Sequence, residues 1–172
     1  METEVKRILV ALVKQNNDDE GQEEDDDEEG EFEGVAAVYG NKDQGGDIIK
    51  PGAFAKSIAE QPSVPLLWQH DQREPIGTGT LKDTAEGLAI KGKLVMQSDV
   101  ARKARALMKA GALKGLSIGY QIVKASAANG ARLLEELKLA EVSLVTFPMN
   151  PKALVTGVKE QPCAAAQLLP YC

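Results

Sequence analysis

The chain has 172 residues, enough for one domain with a substantial core, and 43% of them are hydrophobic. The formal net charge of −6 is unevenly spread: 12 of the 26 acidic residues lie between Asp18 and Glu33 with no base among them, leaving 14 acidic against 20 basic residues elsewhere. The composition therefore describes a mildly basic domain with an acidic insert, while one histidine and two cysteines (Cys163 and Cys172, both near the C-terminus) exclude a Cys/His metal cluster and fit a reducing compartment.

Met1–Glu4 is acidic and carries no signal-peptide pattern, and the apolar run Ile8–Val13 is too short to cross a membrane. Val5–Lys14 reads as a buried strand. Asn16–Gly30 has almost nothing apolar to bury and reads as a disordered acidic loop, either simply solvated or a docking segment for a partner. Phe32–Tyr39 reads as a second strand, and Gly40–Gly46 as a turn rich in Gly, Asn and Asp. Ala53–Glu60 is expected to be a short helix with Phe54 and Ile58 on one face.

Val64–His70 reads as a strand ending at the histidine. Ile76–Leu81 and Leu88–Val95 flank a turn at Asp83–Gly87 and predict a hairpin. Ser98–Ala110 is the clearest helix: Ser98 caps it, Asp99 and Lys109 suit its two ends, and Gly111 stops it. Leu116–Lys124 is a strand, Asn129-Gly130 a turn, and Leu133–Phe147 a long strand closed by Pro148 and Pro151. The tail from Gln161 reads as frayed. Seven or eight short strands joined mostly by turns predict a largely antiparallel barrel or sandwich.

The chemistry concentrates in Gly115-Leu116-Ser117-Ile118-Gly119, with the sole histidine, His70, 47 positions upstream. A serine hydroxyl becomes a useful nucleophile when a base takes its proton, and histidine is the usual base near neutral pH. One histidine allows one Ser–His pair. The flanking glycines are expected to leave Ser117 open to a substrate backbone. The nucleophile elbow of α/β-hydrolases does not fit, because there the histidine follows the serine. A Ser–Lys dyad with Lys114 is disfavoured by strand alternation, which turns that side chain away from Ser117.

A third group should orient the imidazole. Glu141, inside the apolar strand Leu139–Val145, is the leading candidate, since a carboxylate there needs a partner. Glu135 and Glu136 lie nearer a polar turn, and Asp71, next to His70, should point to the opposite face. Taken singly, a serine between glycines, a lone histidine and a strand glutamate all have plain structural roles. On residues alone a non-catalytic assembly or scaffold protein stays open, using the acidic tract and the basic helix as binding surfaces. Nucleic-acid binding through Arg102, Lys103, Arg105 and Lys109 is poorly supplied with stacking aromatics, with three Phe, one Trp and three Tyr in the chain.

An ordered set of segments resembles the prohead (procapsid maturation) serine proteases of tailed bacteriophages, relatives of the herpesvirus assemblins. They are Gly34-Val35-Ala36-Ala37-Val38-Tyr39-Gly40, Asp47-Ile48-Ile49-Lys50-Pro51-Gly52-Ala53-Phe54, Pro65-Leu66-Leu67-Trp68-Gln69-His70-Asp71, Pro75-Ile76-Gly77, Gly115-Leu116-Ser117-Ile118-Gly119-Tyr120 and Glu141–Pro151. The likeness spans about residues 32 to 155; the acidic tract is not part of it. The resemblance implies a mainly β fold with helices: a compact, largely antiparallel β-barrel surrounded by short helices.

It also implies an endopeptidase, without metal or cofactor, that cuts scaffold and major capsid protein segments, and itself, inside the assembling procapsid in the host cytoplasm. Ser117 would be the nucleophile, His70 the base and Glu141 the acidic third member. Polypeptide substrates and a possible homo-oligomer are the expected partners, with no nucleic acid and no membrane. The expected organisation is an N-terminal strand at 1–17, an acidic loop at 18–31, a protease core at 32–158 and a flexible tail at 159–172.

Overall fold

Alternating burial along the strands sets one face of a single sheet against a common core. The computed structural model describes residues 30–128 and 130–159, so the expected N-terminal strand, most of the acidic loop and nearly all of the tail lie outside the described residues. The elements in chain order are β1 (Glu31–Val38), β2 (Asp47–Ile49), α1 (Ala55–Glu60), β3 (Ser63–Trp68), β4 (Asp71–Asp83), β5 (Gly87–Leu94), α2 (Asp99–Lys109), β6 (Gly115–Ala128), β7 (Ala131–Val145) and β8 (Val155–Val158).

The strands form one sheet in the order β2-β7-β3-β4-β5-β1-β8, with β6 on the other edge of β7. Most pairings are antiparallel, as expected. Two are parallel, β2 with β7 and β3 with β7. The expected barrel is present in a coarser form, as a curled, mostly β half-barrel with two helices among the described residues. Its ends approach through Leu154, which bridges to Gly115, and whose carbonyl accepts from the Val35 N–H at 2.9 Å.

Local sequence explains the details. In β1 both Ala36 and Ala37 are buried, breaking the alternation, because a register shift against β5 falls between Val35 and Ala37. Gly92 makes room for Phe32: a Cβ there would lie 2.3 Å from the ring. In α2 Ser98 Oγ accepts from the Ala101 N–H, Gly111 follows the helix with φ +73°, and Ala101, Ala104 and Met108 are buried. The helix α1 is pinned to β7, since buried Ser57 accepts from Leu139 N–H at 2.9 Å and Ala53 C=O from Leu137 N–H at 2.9 Å.

The core holds Phe32, Phe54, Leu66, Ile76, Leu88, Leu116, Leu134, Leu137, Val142 and Leu144, all nearly inaccessible. Burying each Leu or Phe side chain contributes roughly 1.5–3 kcal/mol. Leu116 and Leu144 pair across β6 and β7, one residue from Ser117 and Ser143. The strand frame around the serines is therefore anchored by some of the best-buried side chains in the molecule.

Candidate active site

The long strand β7, which carries Glu141, lies between β6, which carries Ser117, and β3, which leads into the turn that holds His70. Along one edge it pairs with β6, setting Ser117 opposite Ser143 and Gly119 opposite Glu141. Along the other it pairs with β3, setting Leu67 beside Ser143 and Trp68 beside Leu144. Side chains alternate across a strand, so Ser117, Gly119, Glu141 and Ser143 share one face of the β6–β7 ladder.

His70 reaches that face by an uncommon route. Trp68 pairs with Asp71, so Gln69 and His70 are the two central residues of the β3–β4 hairpin. Both are left-handed, with φ of 52° and 62°, as in a type I′ turn. Residues with a Cβ adopt this conformation at a cost of about 1–2 kcal/mol each, and Asn or Gly usually serve there. The turn is tied to β7: Gln69 N–H donates to Leu144 C=O at 3.0 Å, and His70 N–H to Ser143 Oγ at 3.2 Å. The Gln69 amide makes two further bonds, donating to Thr146 Oγ1 at 3.0 Å and accepting from Thr146 N–H at 3.3 Å.

His70 Nδ1 then lies 2.8 Å from Glu141 Oε1. This contact suits a neutral imidazole that donates from Nδ1 to a carboxylate oxygen, the tautomer in which Nε2 keeps its lone pair. Glu141 is largely buried, at 12% side-chain exposure, and its Oε2 accepts from Ser143 Oγ–H at 2.7 Å. Ser143 is fully buried and joins both partners, taking the His70 N–H and giving its proton to Glu141.

Ser117, 9% exposed, shares with His70 the lining of a cavity of about 200 Å³. Its walls are largely apolar, including Ala36, Ala37, Ile49 and Ile118, with a polar end at Asp43, Asp47 and Tyr120. Arg132 clamps buried Asp47 through two bonds of 2.8 and 2.6 Å. Burial, and then the charges of Asp47 and Asp43, push the Tyr120 hydroxyl above its ordinary pKa. The Asn41 and Asn150 side chains exchange amide hydrogen bonds at 3.1 Å and join two loops at the rim.

The structure thus brings His70 and Glu141 into contact, and sets Ser117 opposite Ser143 in the ladder and in the lining of the cavity that His70 shares. The other acids are engaged elsewhere. Asp71 binds Arg73 through three bonds of 3.0 Å. Glu135 pairs with Lys124 and Ser126, and Glu136 with Lys56. Lys114 lines grooves beside α2 and β8, away from the Ser117 cavity.

The glycines around Ser117 serve a purpose different from the open approach expected of them. A Cβ at Gly119 would meet Glu141 Oε1 at 2.5 Å, and one at Gly115 would meet Val145 C=O at 2.5 Å and Pro148 Cδ at 2.8 Å. They admit internal neighbours. Sequence reasoning missed Ser143, although a polar residue two positions after Glu141 on the same strand face was a usable signal. It also missed Gln69 and Asp47. The basic helix proves partly occupied, with Arg102 bonded to Asp99 and to Met96 C=O, and Lys103 over the Trp68 ring at 5.5 Å.

Residues 17–167 match the family described as Caudovirus prohead serine protease. The chain is 34% identical over 137 residues to the prohead protease of Enterobacteria phage HK97, covering 76% of this chain and 61% of that protein. It is 31% identical over 122 residues to the capsid polyprotein of Pseudomonas phage PAJU2, covering 66% of this chain and 18% of the relative. With the HK97 protein, the chain therefore spans about three fifths of the relative's length. Among solved structures the fold is similar to KSHV protease in complex with a hexapeptide phosphonate inhibitor (TM-score 0.50, 16% identity, 73% of this chain and 63% of that one). It is also similar to the bacteriophage T4 capsid assembly protease (TM-score 0.51, 12% identity, 67% and 81%).

Proposed function

The chain belongs to the caudovirus prohead serine protease family, and we propose that it is a serine endopeptidase that cuts scaffold and capsid-protein segments, and itself, during procapsid maturation. The observation that carries this reading is the 2.8 Å contact of His70 Nδ1 with Glu141, where His70 and Ser117 line one cavity. The relative named as a capsid polyprotein supports a capsid polypeptide as the substrate class.

In the first step His70 Nε2 takes the proton of Ser117 Oγ–H as the oxygen attacks the scissile carbonyl carbon. Glu141 holds the Nδ1–H tautomer and offsets the charge of the imidazolium that forms. Backbone N–H groups stabilise the tetrahedral oxyanion. Collapse breaks the C–N bond, and His70 returns the proton to the leaving amine, leaving an acyl-serine. Water, deprotonated by His70, then attacks the ester, and the carboxylate product leaves with Ser117 regenerated.

Substrate geometry follows from the sheet. Among the described residues, the edge of β6 beyond Leu116 pairs with no strand on the side away from β7. An extended peptide adding along that edge would present its carbonyl to Ser117 and a side chain to the neighbouring cavity.

Co-expression with the neighbouring capsid protein, wild type against Ser117→Ala, tests the reading by intact-protein mass spectrometry. Shortened capsid chains that vanish in the variant are expected. Identical masses in both, with shells still assembling, would instead make the chain a non-catalytic assembly protein.

A further inference from the structure

We propose that Gln69 is a positioning residue for catalysis: its side-chain amide clamps the strained β3–β4 turn to Thr146 on β7, and so fixes the His70 imidazole against Glu141. The inference rests on the assignment of Ser117, His70 and Glu141 to one catalytic unit.

Three observations carry it. Gln69 and His70 are the only left-handed residues other than glycine among the described residues, and they are adjacent. A turn of this kind built from two residues with a Cβ does not hold itself, and needs external bonds to outweigh its strain. The Gln69 amide supplies two such bonds, using both ends of the group on Thr146. Its planarity makes the pair directional.

The receiving strand is also the one that carries Glu141. The clamp at Thr146, the His70 N–H bond to Ser143 and the Nδ1 contact with Glu141 all fall within six residues of β7 and its end. The His70–Glu141 separation is thus set by one stretch of backbone, locked to the β6 ladder that holds Ser117. Without the amide, the turn keeps two backbone anchors but loses the bonds that fix its tilt. The imidazole then samples rotations in which Nδ1 leaves the Glu141 carboxylate and the ring turns within the cavity it shares with Ser117.

The test uses the full chain with Gln69→Ala, Gln69→Gly and Thr146→Val, and two readouts. The first is kcat and KM on a peptide spanning a cut site mapped from the capsid protein. Gln69→Ala should lower kcat roughly tenfold or more with KM nearly unchanged, since the geometry of attack is lost and the substrate edge is not. Gly accepts left-handed backbone freely, so Gln69→Gly separates turn strain from the clamp. A loss close to that of Ala is expected, and recovery to the wild-type rate would overturn the role of the amide.

The second readout is the imidazole ¹H–¹⁵N spectrum, which the single histidine makes unambiguous. The chain with Gln69 intact should show the Nδ1–H tautomer, and Gln69→Ala a mixture of tautomers. This is recorded in the Ser117→Ala background and does not depend on peptidase activity, so failure of the clamp and failure of the functional assignment give different results. Gln69→Ala with unchanged kcat and an unchanged spectrum overturns the proposal. If Gln69→Ala does not fold, Thr146→Val carries the same readouts, with a smaller loss expected and unchanged values decisive against it.

Discussion

Gly119 faces Glu141 across the β6–β7 ladder with no room for a side chain: a Cβ at Gly119 would lie 2.5 Å from Oε1 and 2.9 Å from Cγ of the glutamate. The second glycine of the Gly-Leu-Ser-Ile-Gly segment thus vacates the space in which the Glu141 carboxylate reaches His70. The segment is informative because it encodes the seat of the acid as well as the position of the serine.

Gly119→Ala should therefore disable the site while leaving the sheet intact. The carboxylate has to swing away from His70, at a stability cost of about 1–3 kcal/mol. The processing rate is expected to fall roughly tenfold or more, with a cooperative thermal transition retained. A wild-type rate would show that the Glu141 contact does not matter to turnover.

Glu141→Gln keeps the shape and removes the charge that holds the Nδ1–H tautomer. A loss on the order of 100-fold or more in kcat is expected, by analogy with removal of the acid from serine-protease triads. Glu135→Gln and Glu136→Gln should process substrate normally, because those carboxylates bind Lys124 and Lys56. Single-turnover rates on the three variants decide the assignment; equal loss in all three would remove Glu141 from its role.

Ser143→Ala deletes one hydroxyl and orphans two groups, the Glu141 Oε2 and the His70 N–H. Leaving buried polar groups unpaired costs about 1–3 kcal/mol. Urea unfolding should report that loss with an unchanged slope, and kcat should fall with it. A variant as stable and as active as wild type would mean that Ser143 merely fills space.

The exposed Asp71–Arg73 pair gives a pH signature with a definite sign. The Arg73 guanidinium, and then its backbone N–H, hold the Asp71 carboxyl down from 3.8 to about 2. A depressed folded pKa stabilises the folded state above the ordinary value, and that contribution is lost as pH falls through about 2. Thermal unfolding of wild type and Asp71→Asn should thus converge between pH 4 and 2, with the variant the weaker at pH 5. At neutral pH Asp71→Asn should retain processing, as Asp71 does not bind His70. A collapse of activity there would reopen the choice of acid.

Much of this was legible in the sequence because it is local or set by alternation. The capped helix at 99–109, the β4–β5 hairpin and the strand bearing Ser117 follow from periodicity and turn chemistry. Glu141 stood out as a carboxylate in an apolar strand. Partner choice was not legible: β3 pairs in parallel with β7 across some 75 residues, and no local signal specifies that edge. The turn at Gln69–His70 was hidden for a related reason. Neither residue favours left-handed backbone, and the bonds that hold it there come from Leu144, Ser143 and Thr146. Ser143 read as an ordinary strand residue because its role exists only once His70 is folded beside it.

The central claim is that Ser117 is an activated nucleophile, and covalent labelling tests it most directly. The chain would be treated with a fluorophosphonate, and intact mass and peptide mapping recorded for wild type, Ser117→Ala and His70→Ala. One adduct on Ser117 is expected in wild type, none in Ser117→Ala, and strongly slowed labelling in His70→Ala. A chain that takes no adduct, or takes it equally well without Ser117, would contradict the account.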